Sequence, residues 1–455
     1  MKTETATPKN YAAWLSYWAK RQAEKPCMFF GERGITYGAM EKEVAAYGEK
    51  FRELSFRQTV LIVKSSPLAQ AIAFLAAERA GWVPVLGHPD LSKEAAVLLG
   101  KKRNIGWLDG ETLQEITPDG LVPAASICMG VLSSGSTGLP KLLFRTYASW
   151  ADFFPEQNAM FQVNRDTVAF GEGSLSFTGN ANLWASVLFA GATMVFGQGL
   201  HPHSWMMDLT RYHVTVLYLV PVKLKLLLQA AKEIMPTVRT ILAGSQLLEA
   251  GTARALHQYF PKSQIVLYYG ASEVDYVTWL TYEELLQHPM SVGRPCPGVG
   301  VTIRDGLIII DTPYHVEGLP QPCTLQDRGY FDEEGYLIFL GRQGQVVNKG
   351  GLTISCNRVE QAVQQVPGVL DAAVVPLQDK ARGETLGAVV VLEKGMTIQT
   401  IRKALRTMLL PGELPGRWAV VPALPLSGAG KVDCSRVQDI LRSSQNSIYY
   451  TQETQ

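Results

Sequence analysis

The chain has 455 residues, enough for two or three domains, and its 47% hydrophobic and 18% charged content is that of a globular protein, too apolar for disorder. A formal net charge of +1 excludes a global field for nucleic acid or an anionic membrane surface. Any phosphate chemistry must therefore come from a local site.

Met1 to Asn10 is polar, carries Glu4 and does not read as a signal peptide. Residues 11–23 carry an aromatic and apolar stripe (Tyr11, Trp14, Leu15, Trp18) that predicts a helix, and a second helix follows Thr36-Tyr37-Gly38. From Val60 the pattern becomes βαβ-like. Residues 60–63 read as a buried strand, 67–79 as a helix opened by Ser66 and Pro67 and stopped by Gly81, and 82–86 as a return to the sheet. Short apolar strands separated by helices predict α/β layers.

A further apolar run, 127–132, reads as a strand and feeds Ser133-Ser134-Gly135-Ser136-Thr137-Gly138-Leu139-Pro140-Lys141. Glycines let successive N–H groups converge on an anion, hydroxyls add donors and Lys141 adds charge. The Walker phosphate loop fails here. Counted from Gly135, its second glycine falls on Pro140 and its hydroxyl on Leu142. Composition alone also leaves a solvated surface loop open.

The longest apolar stretch, 183–196, is too short for a membrane span and contains Gly191 and Thr193. His201-Pro-His203 is the one histidine cluster, and no Cys or carboxylate lies at ligand spacing from it, which argues against a metal role. The α/β grammar recurs in a strand at 215–220, a helix from Pro221 to about 234, a strand at 238–242 ended by Ala243-Gly244-Ser245, a helix at 247–259, and a strand at 265–268 that breaks at Tyr269-Gly270. Strands ending in small polar turns suit ligands, which collect at the carboxyl ends of such sheets.

After about 295 the character changes. Residues 301–304 and 307–310 flank Asp305-Gly306, a type I′ hairpin signal, and 329–331 and 336–340 predict another hairpin. Beyond the polar Gly341-Arg342-Gln343-Gly344-Gln345 lies a compact α/β unit: helix 357–366, strands 372–376 and 387–392, helix 398–409 and strand 418–421. The tail from Ser443 is polar. Cys27, Cys128, Cys296, Cys323, Cys356 and Cys434 form no C-x-x-C pair, so reduced thiols and a cytoplasmic setting are expected.

Together these landmarks resemble the adenylate-forming superfamily of acyl- and aryl-CoA synthetases, adenylation domains and luciferases, most of all a short acyl-CoA synthetase. Residues 134–141 look like its phosphate loop, and Tyr269-Gly270-Ala271-Ser272-Glu273 looks like its Tyr-Gly-x-Thr-Glu motif. Asp327, Gly341-Arg342 and Ser427-Gly428-Ala429-Gly430-Lys431 follow in the family's order.

The resemblance implies ATP, Mg2+ and coenzyme A (or phosphopantetheine) as cofactors, with a carboxylic acid activated to an acyl-adenylate and passed to a thiol. It implies that Ser133, Ser134, Gly135, Ser136, Thr137, Gly138 and Lys141 hold phosphates, with Gly244, Ser245, Gln246, Tyr269 and Gly270 around the nucleotide. Asp327 would accept both ribose hydroxyls, Arg342 would donate to the ribose or a phosphate, Ser272 would face the α-phosphate and Glu273 the magnesium ion. Lys431 would bring a point charge to the reacting oxygens, and Lys349, Gly350 and Gly351 would line a thiol tunnel.

Three positions depart from the pattern. Ser176 stands where many acyl-CoA synthetases have histidine, Gly344 where the hinge residue is Asp or Lys, and the segment 354–360 lacks the usual proline.

An apolar, aromatic acid pocket is expected between 177–188, 244–246 and 268–277, with Ser176, Phe177, Trp184 and Tyr276 on its wall. This favours a fatty or aromatic acid. Asp275 could instead bind an ammonium group, or stand as a supporting carboxylate.

The expected architecture is α/β: a large N-terminal domain (1–342) of layered sheets with a β-rich subdomain, and a small mobile α/β C-terminal lid (343–455). Two rivals are a stand-alone enzyme loading a separate acyl-carrier protein and a degenerate nucleotide-binding scaffold without turnover. No nucleic-acid partner and no integral membrane segment are expected.

Overall fold

The computed structural model describes residues 10–52, 59–103, 105–109, 112–114, 124, 126–133, 141–342, 346–349, 352–379, 383–409, 411–426 and 432–443. It divides into two compact units. One comprises 1–284 with 295–300 and 311–321, and the other 285–294, 301–310 and 322–455.

The first unit is built on two mostly parallel sheets. One runs in spatial order Thr112–Gln114, Gly106–Asp109, Thr59–Ile62, Val83–Leu86, Ile127–Ser133, Lys141–Thr146. The other contains, in order, Asp275–Thr281, Gln264–Ala271, Thr240–Ala243, Val216–Tyr218, Val168–Glu172, Thr193–Gly197, Pro26–Phe30 and Arg33–Thr36. The strands Thr59–Ile62, Val83–Leu86 and Thr240–Ala243 are buried along their whole length, the expected state of parallel strands covered by helices on both faces. The helix Pro67–Arg79 begins as its sequence predicts, with Ser66 accepting from the Ala69 N–H and proline in the first turn.

The apolar stretch 183–196 is not one element. The helix Thr178–Ala190 closes on Gly191, whose φ of 68° is left-handed, and the chain returns as the strand Thr193–Gly197. No helix among the described residues is long and apolar enough to cross a membrane.

The second unit carries the antiparallel sheet Gly300–Arg304, Leu307–Asp311, Asp327–Phe331, Leu337–Arg342. Asp305 and Gly306 both take positive φ (52° and 73°), as a type I′ turn requires. The unit also contains the pair Val346–Lys349 and Leu352–Ser355 and a three-stranded sheet, Val369–Asp379, Gly383–Leu392 and Arg417–Val420. The helices Cys356–Gln364, Ile398–Leu405 and Cys434–Ser443 accompany these sheets. Val359, Val363, Ala388, Val390, Ile401 and Leu405 form the core of this α/β part.

Two expectations need correction. The strand expected to break at Tyr269-Gly270 continues to Ala271 and turns into a hairpin with Asp275–Thr281, because the register shifts between Tyr269 and Gly270 instead of ending the pairing. The helix from Pro221 stops at Ala230, since Ala231 is extended. The last helix, Cys434–Ser443, and the pair Val346–Lys349 and Leu352–Ser355 were not anticipated.

Candidate active site

The phosphate-loop motif is the connection of a β-hairpin. Ser133 ends one strand, Lys141 begins the next, and the two residues pair in register. Lys141 is exposed. Ser134, Gly135, Ser136, Thr137 and Gly138 lie outside the described residues, as do Gly344, Gly350, Gly351 and Lys431. Lys349 pairs with Leu352 through the backbone.

The Tyr-Gly motif spans the end of the strand Gln264–Ala271 and the turn of a second hairpin. Gly270 is required there, because a Cβ at this position would lie 2.2 Å from the Asp275 carbonyl oxygen. Ser272 and Glu273 are half-buried in the turn. Asp275, which re-enters the strand, takes a φ of 60°, a strained value for a residue other than glycine.

Three contacts set this turn in place. The buried Arg145 donates to the Ser272 carbonyl (2.7 Å), the Tyr314 carbonyl (3.1 Å) and the Ser149 hydroxyl (3.1 Å). The Val316 N–H donates to the Glu273 carbonyl and the Glu317 N–H to the Phe144 carbonyl. The Ser272 hydroxyl lies 2.7 Å from that of Thr178 in the first turn of the helix Thr178–Ala190. The strand that leaves the phosphate loop and the turn bearing Ser272 and Glu273 are thus tied to one guanidinium.

Burial works against the Arg145 charge, and Asp275 is its foremost electrostatic support. Asp275 is 8% exposed. Its Oδ1 accepts from Asn182 (3.2 Å), while Oδ2 has no hydrogen-bond partner. Burial pushes this carboxyl up to about 7, against the pull of Arg145 and the Tyr276 N–H.

Gly244 and Ser245 follow the strand Thr240–Ala243. A Cβ on Gly244 would meet the Tyr268 ring at 2.2 Å, and Ser245 takes a φ of 67°. Ser245 is exposed and Gln246 half-buried. Tyr276 donates to Asn182 (3.3 Å) and meets Tyr268 edge-on at 4.5 Å. Burial pushes the hydroxyls of Tyr268 and Tyr276 well above the ordinary tyrosine range, so both remain neutral.

Ser176 bonds to Ser174, which Gln70 in turn engages, and Phe177 meets His88 edge-on at 5.4 Å. Trp184 is buried and packs edge-on against Phe74 at 5.5 Å, two residues beyond Asn182 on the same helix. In the second unit Asp327 pairs in register with Arg342 and accepts from its Nε at 3.2 Å. Asp327 is buried and Arg342 extends outward.

Arg145, Thr178 and Asn182 were not singled out from sequence. Arg145 did leave a signal: it is the lone charge in the interior of the apolar strand Lys141–Thr146, where a charge needs several fixed acceptors.

Two family models match the chain, AMP-binding enzyme over residues 106–308 and AMP-binding enzyme C-terminal domain over 358–431. An uncharacterized acyl–CoA ligase, YhfT of Bacillus subtilis (strain 168), is 29% identical over 69% of this chain and 68% of its own length. A salicylyl-CoA synthase / salicylate adenylyltransferase of a Streptomyces species is 26% identical over 74% of this chain and 66% of its own. Among solved structures, o-succinylbenzoate coenzyme A synthetase (MenE) of Bacillus subtilis in complex with ATP and magnesium superposes with a TM-score of 0.81, covering 94% of this chain and 99% of that one at 19% identity. The likeness to MenE is one of fold. Matched by family models in both its N-terminal and its C-terminal part, the chain belongs to the AMP-binding, adenylate-forming enzyme family.

Proposed function

We propose that the protein is an AMP-forming acid–thiol ligase. With ATP and magnesium it converts a carboxylic acid, fatty or aromatic, to an acyl-adenylate, and the thiol of coenzyme A then takes the acyl group and displaces AMP. The observation that carries this reading is the Arg145 clamp, which holds the strand leaving the phosphate loop and the turn bearing Ser272 and Glu273 to one another.

In the first step a carboxylate oxygen of the acid attacks the α-phosphorus, and the bond to pyrophosphate breaks. Such a transfer asks the protein for positioning and charge stabilisation. Residues 133–138 and Lys141 meet the departing phosphates, Ser272 the α-phosphate, and Lys431 the oxygens that gain charge. Tyr269 and Gly270, with Gly244, Ser245 and Gln246, attend the adenine, while Asp327 accepts from the ribose hydroxyls and Arg342 donates to them.

Among the described residues no group of three or more His, Cys, Asp or Glu side chains could hold a metal. Magnesium keeps water and phosphate oxygens and takes a single carboxylate, here Glu273. When bound it would neutralise phosphate charge. In the second step Lys349, Gly350 and Gly351 line the path of the thiol, within a functional division at 342/343. Free cysteines fit a cytoplasmic setting.

The test is ATP–pyrophosphate exchange over fatty, aryl and amino acids. Exchange with one class is expected, followed by thioester formation with free coenzyme A. Thioester formation on a phosphopantetheinyl carrier alone would move the acceptor to a carrier protein. ATP binding without exchange for any acid would leave a nucleotide-binding scaffold.

A further inference from the structure

The segments expected to frame the acid pocket are bridged by tyrosine rings. Tyr218 and Tyr268 lie on strands that flank Thr240–Ala243, and their hydroxyls meet at 2.9 Å across it. Both sit against backbone that has no room for a methyl group. A Cβ on Gly244, just past the middle strand, would lie 2.2 Å from Cζ of Tyr268, and a Cβ on Gly179 would lie 2.2 Å from the Tyr218 hydroxyl and 3.3 Å from that of Tyr268. Gly179 is in the first turn of Thr178–Ala190, so the hydroxyl pair spans from the carboxyl ends of the strands to that helix. Tyr276 packs edge-on to Tyr268, with ring centroids 4.5 Å apart. The three tyrosines are 7%, 9% and 5% exposed, so their rings are packed in the interior and do not line open space.

We propose that Tyr218 and Tyr268 close the acid pocket short, so that the protein activates a compact carboxylic acid, no larger than a single aromatic ring, and rejects long-chain fatty acids. This rests on the ligase reading and narrows its substrate to one class. The hydroxyl pair satisfies much of its own hydrogen bonding, so the floor can be buried without a partner from the substrate. Packed rings also yield little, because Gly179 and Gly244 leave no space for a side chain beside them.

The test is pyrophosphate exchange on the full chain, with straight acids from acetate to dodecanoate together with benzoate and salicylate. Wild type should exchange with acids up to the size of benzoate and lose about tenfold or more in kcat/KM for dodecanoate. Tyr268→Ala removes the ring over Gly244 and should raise the ratio of long to compact acids by about tenfold or more. Tyr218→Phe, which keeps the ring, should retain the wild-type ratio.

Preferential exchange of dodecanoate by wild type would overturn the size limit while leaving adenylation intact. So would a Tyr268→Ala variant that exchanges compact acids with an unchanged ratio. Should Tyr268→Ala fail to fold, the wild-type length profile decides alone. Absence of exchange with every acid would overturn the ligase reading, and the pocket assignment with it.

Discussion

Replacing Arg145 by methionine keeps much of the side-chain volume and removes the donors to Ser272, Tyr314 and Ser149. These acceptors are partly buried, and each one left without a partner costs about 1 kcal/mol or more, so Arg145→Met should lower the denaturant midpoint. A lysine at this position retains the charge but has no planar fork to reach several acceptors. Arg145→Lys is therefore expected to fold, with kcat for exchange reduced more than KM for ATP is raised, because Ser272 and Glu273 are displaced while Tyr269 and Gly244 are not. A variant with wild-type kcat would show that the clamp serves stability alone. The buried Asp275 argues the same way: the charge of Arg145 and the strained φ of Asp275 lie on either side of Ser272 and Glu273, where the fold departs from ordinary strand geometry.

At the scale of elements, the start of the helix Tyr11–Arg21 shows how one chain segment completes another. Asn10 accepts from the Ala13 N–H, and Glu78, at the end of Pro67–Arg79, accepts from the Tyr11 and Ala12 N–H groups. Burial nevertheless pushes the Glu78 carboxyl from 4.5 up to about 7, outweighing those donors. A carboxyl with a raised folded pKa binds more protons folded than unfolded across that window, so its contribution to stability falls as pH rises from 4.5 to about 7. Thermal melts of Glu78→Gln should lose this part of the pH dependence, and an unchanged pH profile would contradict it.

Legibility in sequence also varied by element. The Asp305-Gly306 turn could be read directly, since few residues other than Asn, Asp and Gly accept two successive positive φ values. The hairpin beyond it is longer than the 329–331 and 336–340 that its sequence predicts. Its strands extend to Asp327 and Arg342, and only that extension sets the two side by side. The continuation through Tyr269-Gly270 was hidden because a glycine reads locally as a break, while here a partner strand needs its missing Cβ.

For the molecule as a whole, the decisive variant is Lys431→Ala. It should abolish pyrophosphate exchange by about a hundredfold or more, the order expected when an electrostatic stabiliser of the reacting oxygens is removed. Its melting temperature should change little. Thioester formation from preformed acyl-adenylate should persist, because that step does not use the charge on pyrophosphate departure. Loss of both half-reactions together would place Lys431 in a shared role.

The amino-acid sequence alone determined the α/β layering, the hairpin-rich second part and the ordered motifs of the AMP-binding family, because apolar period, turn chemistry and glycine position are local properties of the chain. Only the tertiary structure decided that Arg145 from one hairpin fixes the turn of another, and that Tyr218 and Tyr268 meet across an intervening strand over Gly179 and Gly244. These contacts join residues separated by 127 and 50 positions, and no periodicity within either segment encodes which partner the fold will bring to it.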